Sequence, residues 1–116
     1  MPLYSWEGIP REPLKESLWR KVINGERITL AQVHYTKGAE VPLHHHENEQ
    51  FSFVISGALQ FELEGKRVAL RPGEVIHVPQ NIPHRVVALE ESLEIDIFSP
   101  IRQDWLVGQD DYLRGR

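Results

Sequence analysis

The sequence contains no cysteine among its 116 residues, which excludes a disulfide framework and a thiolate metal site. No apolar run approaches the ~20 residues of a membrane span, and the opening segment, MPLYSWEGIPREP, lacks the apolar stretch of a signal peptide. Neither sign of charge is concentrated, since 13 Lys and Arg are interspersed with 17 Asp and Glu, for a net charge of −4. These absences predict a cytoplasmic protein whose partners are neither nucleic acids nor membranes.

Short strand-like runs separated by glycine and proline are the dominant pattern. Residues 59–64 and 93–97 alternate between apolar and polar side chains, as strands with one buried face do. Further runs of strand length occupy residues 27–35, 51–56, 66–70, 75–79 and 84–89. Helical signal is weak, enough for one short turn within residues 12–23 and another around Gln103–Leu106. The pattern predicts an all-β antiparallel sandwich or small barrel.

The length suits one domain with its own core and is too short for two. A hydrophobic content of 41% and a charged content of 26% are those of a globular protein. We therefore expect a single domain over residues 1–116. Its core barrel should occupy about residues 27–100, with the N- and C-terminal arms packing outside.

A run of histidines at residues 44–50, HHHENEQ, predicts a metal site. It has strand-like sequence on both sides, unlike an expression tag at a chain end. Because successive side chains of a strand point to opposite faces, His44 and His46 share one face and His45 takes the other. Two imidazoles hold an ion poorly, so further ligands are required.

Gln50 and His84 are the candidates for these additional ligands. Gln50 ends a short bend after the histidines, and His84 directly follows a turn bounded by Pro79 and Pro83. Glu49 is the alternative to Gln50, although it should point to the other face if the strand begins there.

Two motifs resemble those of the cupin family. Residues 38–57 have the spacing Gly-x5-His-x-His-x3-Gln-x6-Gly, similar to the first cupin motif, with Gln50 where the commonest form has Glu. Residues 71–84, RPGEVIHVPQNIPH, resemble the second motif. The resemblance implies a conical, jelly-roll-like antiparallel β-barrel that carries metal ligands inside its mouth, with short helical turns at the termini at most.

A narrower resemblance covers nearly the whole chain. The opening MPLYSWEGIPRE, the HxHxxxQ form of the first motif and the tail DIFSPIRQDWL at residues 96–106 resemble the pectin-degradation cupins of the KdgF type. Those enzymes open the ring of 4,5-unsaturated uronate monosaccharides from pectin or alginate and give the linear keto form. One departure is that HHHENEQ stands where family members often read HSHPHEQ, which makes His45, Glu47 and Asn48 unusual at the rim of the pocket.

The resemblance also implies a role for particular residues. The ligands of one divalent ion (nickel, zinc, iron or manganese) would be His44, His46, Gln50 and His84. Asp96 would be the acid/base residue, and Arg102 would join it in catalysis. Phe98 and Arg102 would contact the substrate, a small anionic sugar.

The chemistry of these residue types agrees with that assignment, with alternatives left open. Four neutral ligands would leave the ion its full charge, which attracts an anion, and a guanidinium such as that of Arg102 can grip a carboxylate. Glu94 lies on the same strand face as Asp96 and is the competing acid. Arg102 could instead simply pair with Asp104.

The sequence also predicts an oligomeric state and leaves two other functions open. The strand containing Phe51, Phe53 and Ile55 is apolar on both faces, which predicts a homodimer that covers its outer side. Another metal-dependent cupin enzyme, such as an iron dioxygenase, is the second functional reading. A non-catalytic sugar-binding module is the third.

Overall fold

The computed structural model describes residues 2–116, which form ten strands and three short helical segments. The strands are β1 (Glu12–Lys15), β2 (Leu18–Asn24), β3 (Thr29–Tyr35), β4 (Glu40–His44), β5 (Glu49–Ser56), β6 (Leu59–Leu63), β7 (Lys66–Leu70), β8 (Val75–Val78), β9 (His84–Ala88) and β10 (Ser92–Ser99). The helical segments are α1 (Gln103–Leu106) and 3-10 turns at Trp6–Gly8 and Asp111–Leu113. Within the described residues, no helix is long and apolar enough to cross a membrane.

The strands form two antiparallel sheets that face each other. The larger sheet has the order β1-β2-β3-β10-β5-β8, and the smaller has the order β4-β9-β6-β7. The last strand in sequence, β10, lies between β3 and β5 in the larger sheet. This all-β architecture confirms the fold class predicted from the sequence.

The core lies between the sheets and is apolar over most of its volume. Its most buried apolar side chains come from both layers and include Leu18, Ala31, Leu59, Phe61 and Val78. Polar side chains interrupt it in places, among them Glu94 and Asp96 on the inner face of β10, which are 1% and 7% exposed. Alternation along β10 puts these acids inside the barrel, so the sheet carries polar groups into an otherwise apolar interior.

The helical turn expected within residues 12–23 is wrong, because this segment forms β1 and β2. Leu18 and Arg20 point inward from β2 and are 1% and 2% exposed. This period of two is typical of a strand against a core. The larger sheet therefore begins well before residue 27, where the barrel was expected to start, and the segment is part of the sheet.

Gly57 allows the tight connection between β5 and β6. Its φ of 88° lies in the left-handed region, and a side chain there would collide with the backbone of Glu91 and Ser92. The Ser92 hydroxyl accepts a hydrogen bond from the Ala58 amide, with a distance of 3.0 Å between nitrogen and oxygen. Only glycine fits this approach, which brings the end of β5 against the start of β10.

Candidate metal centre

Three histidines converge at one end of the barrel. His44 ends β4 and pairs directly with His84, which begins β9, while His46 follows two residues after β4. Their ring centroids are separated by 4.2 Å for His44 and His84, 5.0 Å for His46 and His84, and 5.6 Å for His44 and His46. One nitrogen from each ring lies within 4.8 Å of the other two, close enough for one ion.

The backbone orients each histidine ring. The Nδ1 atoms of His44, His46 and His84 donate to the carbonyl oxygens of Pro42, Asn48 and Ile82, at 2.7, 3.0 and 2.8 Å. Because a carbonyl only accepts, the proton of each neutral ring is on Nδ1, and Nε2 keeps its lone pair. This outer support is what metal-binding histidines usually have.

Gln50 brings an amide oxygen to the same place from the larger sheet. Its Oε1 lies 3.1 Å from Nε2 of His46, and its Nε2 donates to Oγ of Ser52 at 2.8 Å. Both atoms of the 3.1 Å contact are acceptors, which is unfavourable unless a cation lies between them. Two ligands ~2.1 Å from one ion and at right angles are ~3.0 Å apart, so the spacing fits a metal.

His45 and Glu49, which alternate with the candidate ligands, point away from the cluster. His45 is exposed. Glu49, the alternative to Gln50, is also exposed and pairs with His77, with 2.8 Å between Oε2 and Nε2. Alternation along β5 therefore sends Gln50 inward and Glu49 outward.

Burial keeps the histidines neutral. It lowers the pKa of His44 to about 3, with a further contribution from His84. It lowers the pKa of His46 to about 4, helped by the positive charge of Arg102, and it lowers the pKa of His84 as well. Metals bind the neutral imidazole. Three such nitrogens and one amide oxygen suit nickel, zinc, iron or manganese.

A line of buried polar groups leads from Gln50 to the acids of β10. The Ser52 hydroxyl, which accepts from Gln50, donates in turn to Oδ1 of Asp96. Asp96 is also hydrogen-bonded to Glu94, and the Tyr35 hydroxyl donates to Oε1 of Glu94 at 2.7 Å. Burial raises the pKa of Asp96 to about 6 and that of Glu94 well above its usual value.

Arg102 is buried beside the cluster, with its guanidinium carbon 4.6 Å from the ring centroid of Phe98. Its Nε and Nη2 donate to the Asp104 carboxylate at 3.0 and 2.8 Å, and Nη2 also donates to the Tyr112 hydroxyl. Arg102 therefore pairs with Asp104, as the alternative to a substrate contact predicted. This pairing leaves Nη1 outside these hydrogen bonds, free for another acceptor.

Three residues that sequence reasoning did not single out also build the site. Tyr112 stacks on His44 with 4.6 Å between ring centroids. Ser52 connects Gln50 to Asp96 through two hydrogen bonds. Arg20 lines the same cavity and pairs with Asp110. Ser52 could have been found as the next inward residue after Gln50 on a strand. No local pattern points to Tyr112 or Arg20.

The interior cavity is small. Its volume is about 40 Å³, and the residues that bound it include His44, Gln50, His84, Asp96 and Arg102. A wider hollow of about 220 Å³ lies at the mouth of the barrel and is lined by His46 of the cluster. The other residues around this mouth hollow are His45, Glu47, Asn48, Gln103 and Asp104.

Known proteins share this sequence and architecture. The cupin domain model matches residues 31–98. The pectin degradation protein KdgF of Dickeya dadantii (strain 3937) is 36% identical over 100 residues, 84% of this chain and 91% of that protein. The structure of KdgF from Halomonas sp. has a TM-score of 0.84 at 32% identity, covering 90% of this chain and 99% of that one.

A shorter similarity leads to a different enzyme. The acireductone dioxygenase of Bacillus velezensis is 34% identical over 74 residues, which cover 53% of this chain and 42% of that protein. The match to the cupin model and the similarity to KdgF both extend over more than half of the chain. The chain therefore belongs to the cupin family and, within it, resembles the KdgF-type cupins.

Proposed function

We propose that this protein is an enzyme of pectin or alginate breakdown that opens and ketonises 4,5-unsaturated uronate monosaccharides with the help of one divalent metal ion. The observation that carries the proposal is the connection between a neutral His44/His46/His84/Gln50 cluster and the buried Asp96 through a single hydroxyl. The similarity to proteins named for KdgF supports the substrate class.

The reaction is an isomerisation that moves one proton. Asp96 takes the proton of the anomeric hydroxyl, a carbonyl forms at the anomeric carbon, and the bond from that carbon to the ring oxygen breaks. The electron pair passes to the ring oxygen, which becomes an enolate conjugated with the ring double bond. Asp96 then returns the proton to the far carbon of that double bond, and the keto form results without water being consumed.

The surrounding residues hold the substrate for this transfer. A divalent ion on the four neutral ligands would supply Lewis acidity to a substrate oxygen. Arg102 offers its free Nη1 to the uronate carboxylate, and Phe98 lies beside His46 in an edge-to-face contact with 5.6 Å between ring centroids. Asp96 is ionised near neutral pH, because its pKa is raised only to about 6, so it can start the cycle as a base.

The decisive experiment follows the ultraviolet absorbance of a 4,5-unsaturated uronate monosaccharide with protein, without protein and with chelator-treated protein. Accelerated loss of the conjugated signal, abolished by the chelator and restored by nickel, zinc, iron or manganese, is the expected result. Absence of acceleration by protein with a demonstrated full load of metal would overturn the proposal.

Asp96→Asn tests the role of the acid. We expect the variant to keep its fold and metal and to lose roughly 100-fold or more in kcat, the usual scale for an acid/base group. Asp111→Asn, the same exchange at an exposed position, is the control and should leave kcat unchanged. If Asp96→Asn stays active, the role passes to Glu94 or to a bound water.

Oxygen chemistry is the second candidate, because of the partial similarity to acireductone dioxygenase. Three histidines and a neutral fourth ligand would also suit iron in such an enzyme. An oxygen electrode with iron-loaded protein and a diketone or thiol substrate distinguishes the two, since ring opening consumes no oxygen. A sugar-binding module without catalysis would instead bind the uronate tightly with no turnover.

A further inference from the structure

We propose that Glu94 is a positioning residue that holds a proton beside Asp96, so that the two carboxyl groups share one proton and Asp96 is the one left ionised. This inference rests on the proposed function, in which Asp96 is the base. It assigns a role to Glu94, a buried acid that takes no part in the proton transfer by Asp96. It also answers which of the two acids is the acid/base residue.

The geometry gives each carboxyl oxygen a defined partner. The Tyr35 hydroxyl donates to Oε1 of Glu94 at 2.7 Å, which marks this oxygen as the carbonyl and leaves Oε2 to carry the proton. The Ser52 hydroxyl donates to Oδ1 of Asp96. A protonated Glu94 and an ionised Asp96 satisfy every contact in this arrangement. Two ionised carboxylates would have no proton to donate between them and would repel each other.

Burial decides how many protons the pair holds. Glu94 and Asp96 are 1% and 7% exposed, and two negative charges in contact in such an interior are costly. Burial raises the pKa of both acids, most strongly that of Glu94, and a hydrogen bond from Glu94 lowers that of Asp96. Coupling between like charges therefore separates the two titrations.

The charged and titratable groups around the pair favour the same division. Arg102, from the C-terminal segment, lowers the pKa of Asp96. Tyr35 faces Glu94 from β3, and burial raises its pKa well above 10, so it stays a donor. The other such groups lining the cavity are Arg20 of β2, His44 and His84 of the smaller sheet, and Tyr112 of the C-terminal turn. The positive charge of Arg102 therefore favours the ionised form of Asp96.

Infrared spectroscopy of the metal-loaded protein at pH 8 tests the position of the proton. Exposed carboxyl groups, with a pKa near ~4, are all ionised at this pH. We expect a protonated-carboxyl band in the wild type, its loss in Glu94→Gln, and its retention in Glu90→Gln, the same exchange at an exposed position of the β9–β10 hairpin. A wild type without the band would overturn the inference.

Kinetics test the positioning role. Gln reproduces the donor and acceptor of a protonated Glu, so Glu94→Gln should keep kcat within about fivefold. Glu94→Leu removes the donor, and the acidic limb of the pH profile of kcat/KM should move up by roughly one pH unit, the scale of a hydrogen bond to a charged group. A merely structural role would lower activity without moving this limb.

Two kinetic results would overturn the inference: loss of more than about 100-fold in Glu94→Gln, which would make Glu94 itself the base, or an unmoved limb in Glu94→Leu. If Glu94→Leu does not fold, the Glu94→Gln and infrared results still decide. If the wild type has no turnover, the proposed function fails, whereas the infrared comparison still reports where the proton lies.

Discussion

At the scale of the residue, the neutrality of Gln50 sets the electrostatics of the cluster. It contributes an amide oxygen where a Glu would bring a negative charge, and the histidines are kept uncharged by burial. An ion on these ligands would keep its full +2 charge and attract an anionic sugar. The negative charge of the site is instead placed at Asp96, one hydroxyl away from Gln50.

Gln50→Glu should keep the metal and lose turnover by roughly tenfold or more, because a carboxylate cancels part of the charge of the ion and cannot donate to Ser52. Metal analysis by mass spectrometry and the ultraviolet assay measure the two effects separately. Gln109→Glu, the same exchange at an exposed position, is the matched control. Unchanged turnover in Gln50→Glu would contradict the assignment.

The lowered pKa values of the histidines predict how metal affinity depends on pH. An imidazole with its usual pKa of ~6.5 would be only ~3% neutral at pH 5, so each would reduce affinity about thirtyfold. With a pKa of about 3 for His44 and about 4 for His46, protons compete with the metal only below pH 5 at these two positions.

The affinity contributed by His44 and His46 should therefore stay nearly constant from pH 7 to pH 5, and only His84 could weaken binding in this range. Competition titrations with a chromophoric chelator at the two pH values measure this. A loss of metal affinity of about a thousandfold, which two histidines with their usual pKa would cause together, would show that burial does not keep His44 and His46 neutral.

At the scale of the element, the C-terminal segment after β10 forms one wall of the site. Asp110 is fully buried, and its Oδ2 accepts from Nη2 of Arg20 at 2.6 Å, which ties the segment to β2. Tyr112, two residues later, stacks on His44. The ion pair between Arg20 of β2 and Asp110 thereby supports the Tyr112 ring against the histidine cluster.

Asp110→Ala should destabilise the protein by about 3 kcal/mol, since it leaves the buried Arg20 without its main partner. Arg20 keeps its exposed partner Glu12, which places the effect at the lower end of the range for broken buried pairs. Chemical denaturation measures the change in the free energy of unfolding. Asp111→Ala, which breaks an exposed pair with Arg116, should change it by less than about 1 kcal/mol. Equal effects would contradict the buried role.

At the scale of the whole molecule, the candidate site joins the two sheets at one end of the barrel. His44 and His84 belong to the smaller sheet, whereas Gln50 and Asp96 belong to the larger. The opposite, outer face of the larger sheet is apolar and partly uncovered. Phe51, Ile55 and Val75 are 45%, 49% and 62% exposed there.

We expect a second copy of this chain to cover that outer face, as the apolar strand β5 predicts. Ile55→Lys should convert the dimer to a monomer, because a buried lysine without a partner is costly in an interface. Val68→Lys, at a 41% exposed apolar position of the smaller sheet, should leave it dimeric. Sedimentation equilibrium of the three proteins measures this, and a monomeric wild type would refute the expectation.

Local patterns were enough to predict most of the strands from β3 onward and the grouping of the histidines. Alternation places His44 and His46 on one face and sends Gln50 inward, and the turn before His84 is marked by prolines. The interior position of Asp96 is harder to predict, because Asp96 is flanked by Ile95 and Ile97 within β10, and a period of two alone does not say which face of the strand is buried.

The remaining features depend on partners that are distant in sequence. The sequence of residues 12–23 predicts at most one short helical turn, yet Arg20 lies in a strand, where it pairs with Asp110, 90 positions away. The place of Tyr112 against His44 depends on the same pairing. No window of neighbouring residues contains this information.

The support of the three histidines has a consequence for how the protein can evolve. Pro42, Asn48 and Ile82 hold the rings through main-chain carbonyls, and no point mutation removes a carbonyl. The side chains around the mouth, such as His45 and Glu47, can therefore diverge between lineages without loosening these ligands. Substrate preference can therefore change at the rim while the histidine ligands keep their support. Gln50 differs from the histidines, because its amide is held by the side chain of Ser52 and would lose that support in a Ser52 substitution.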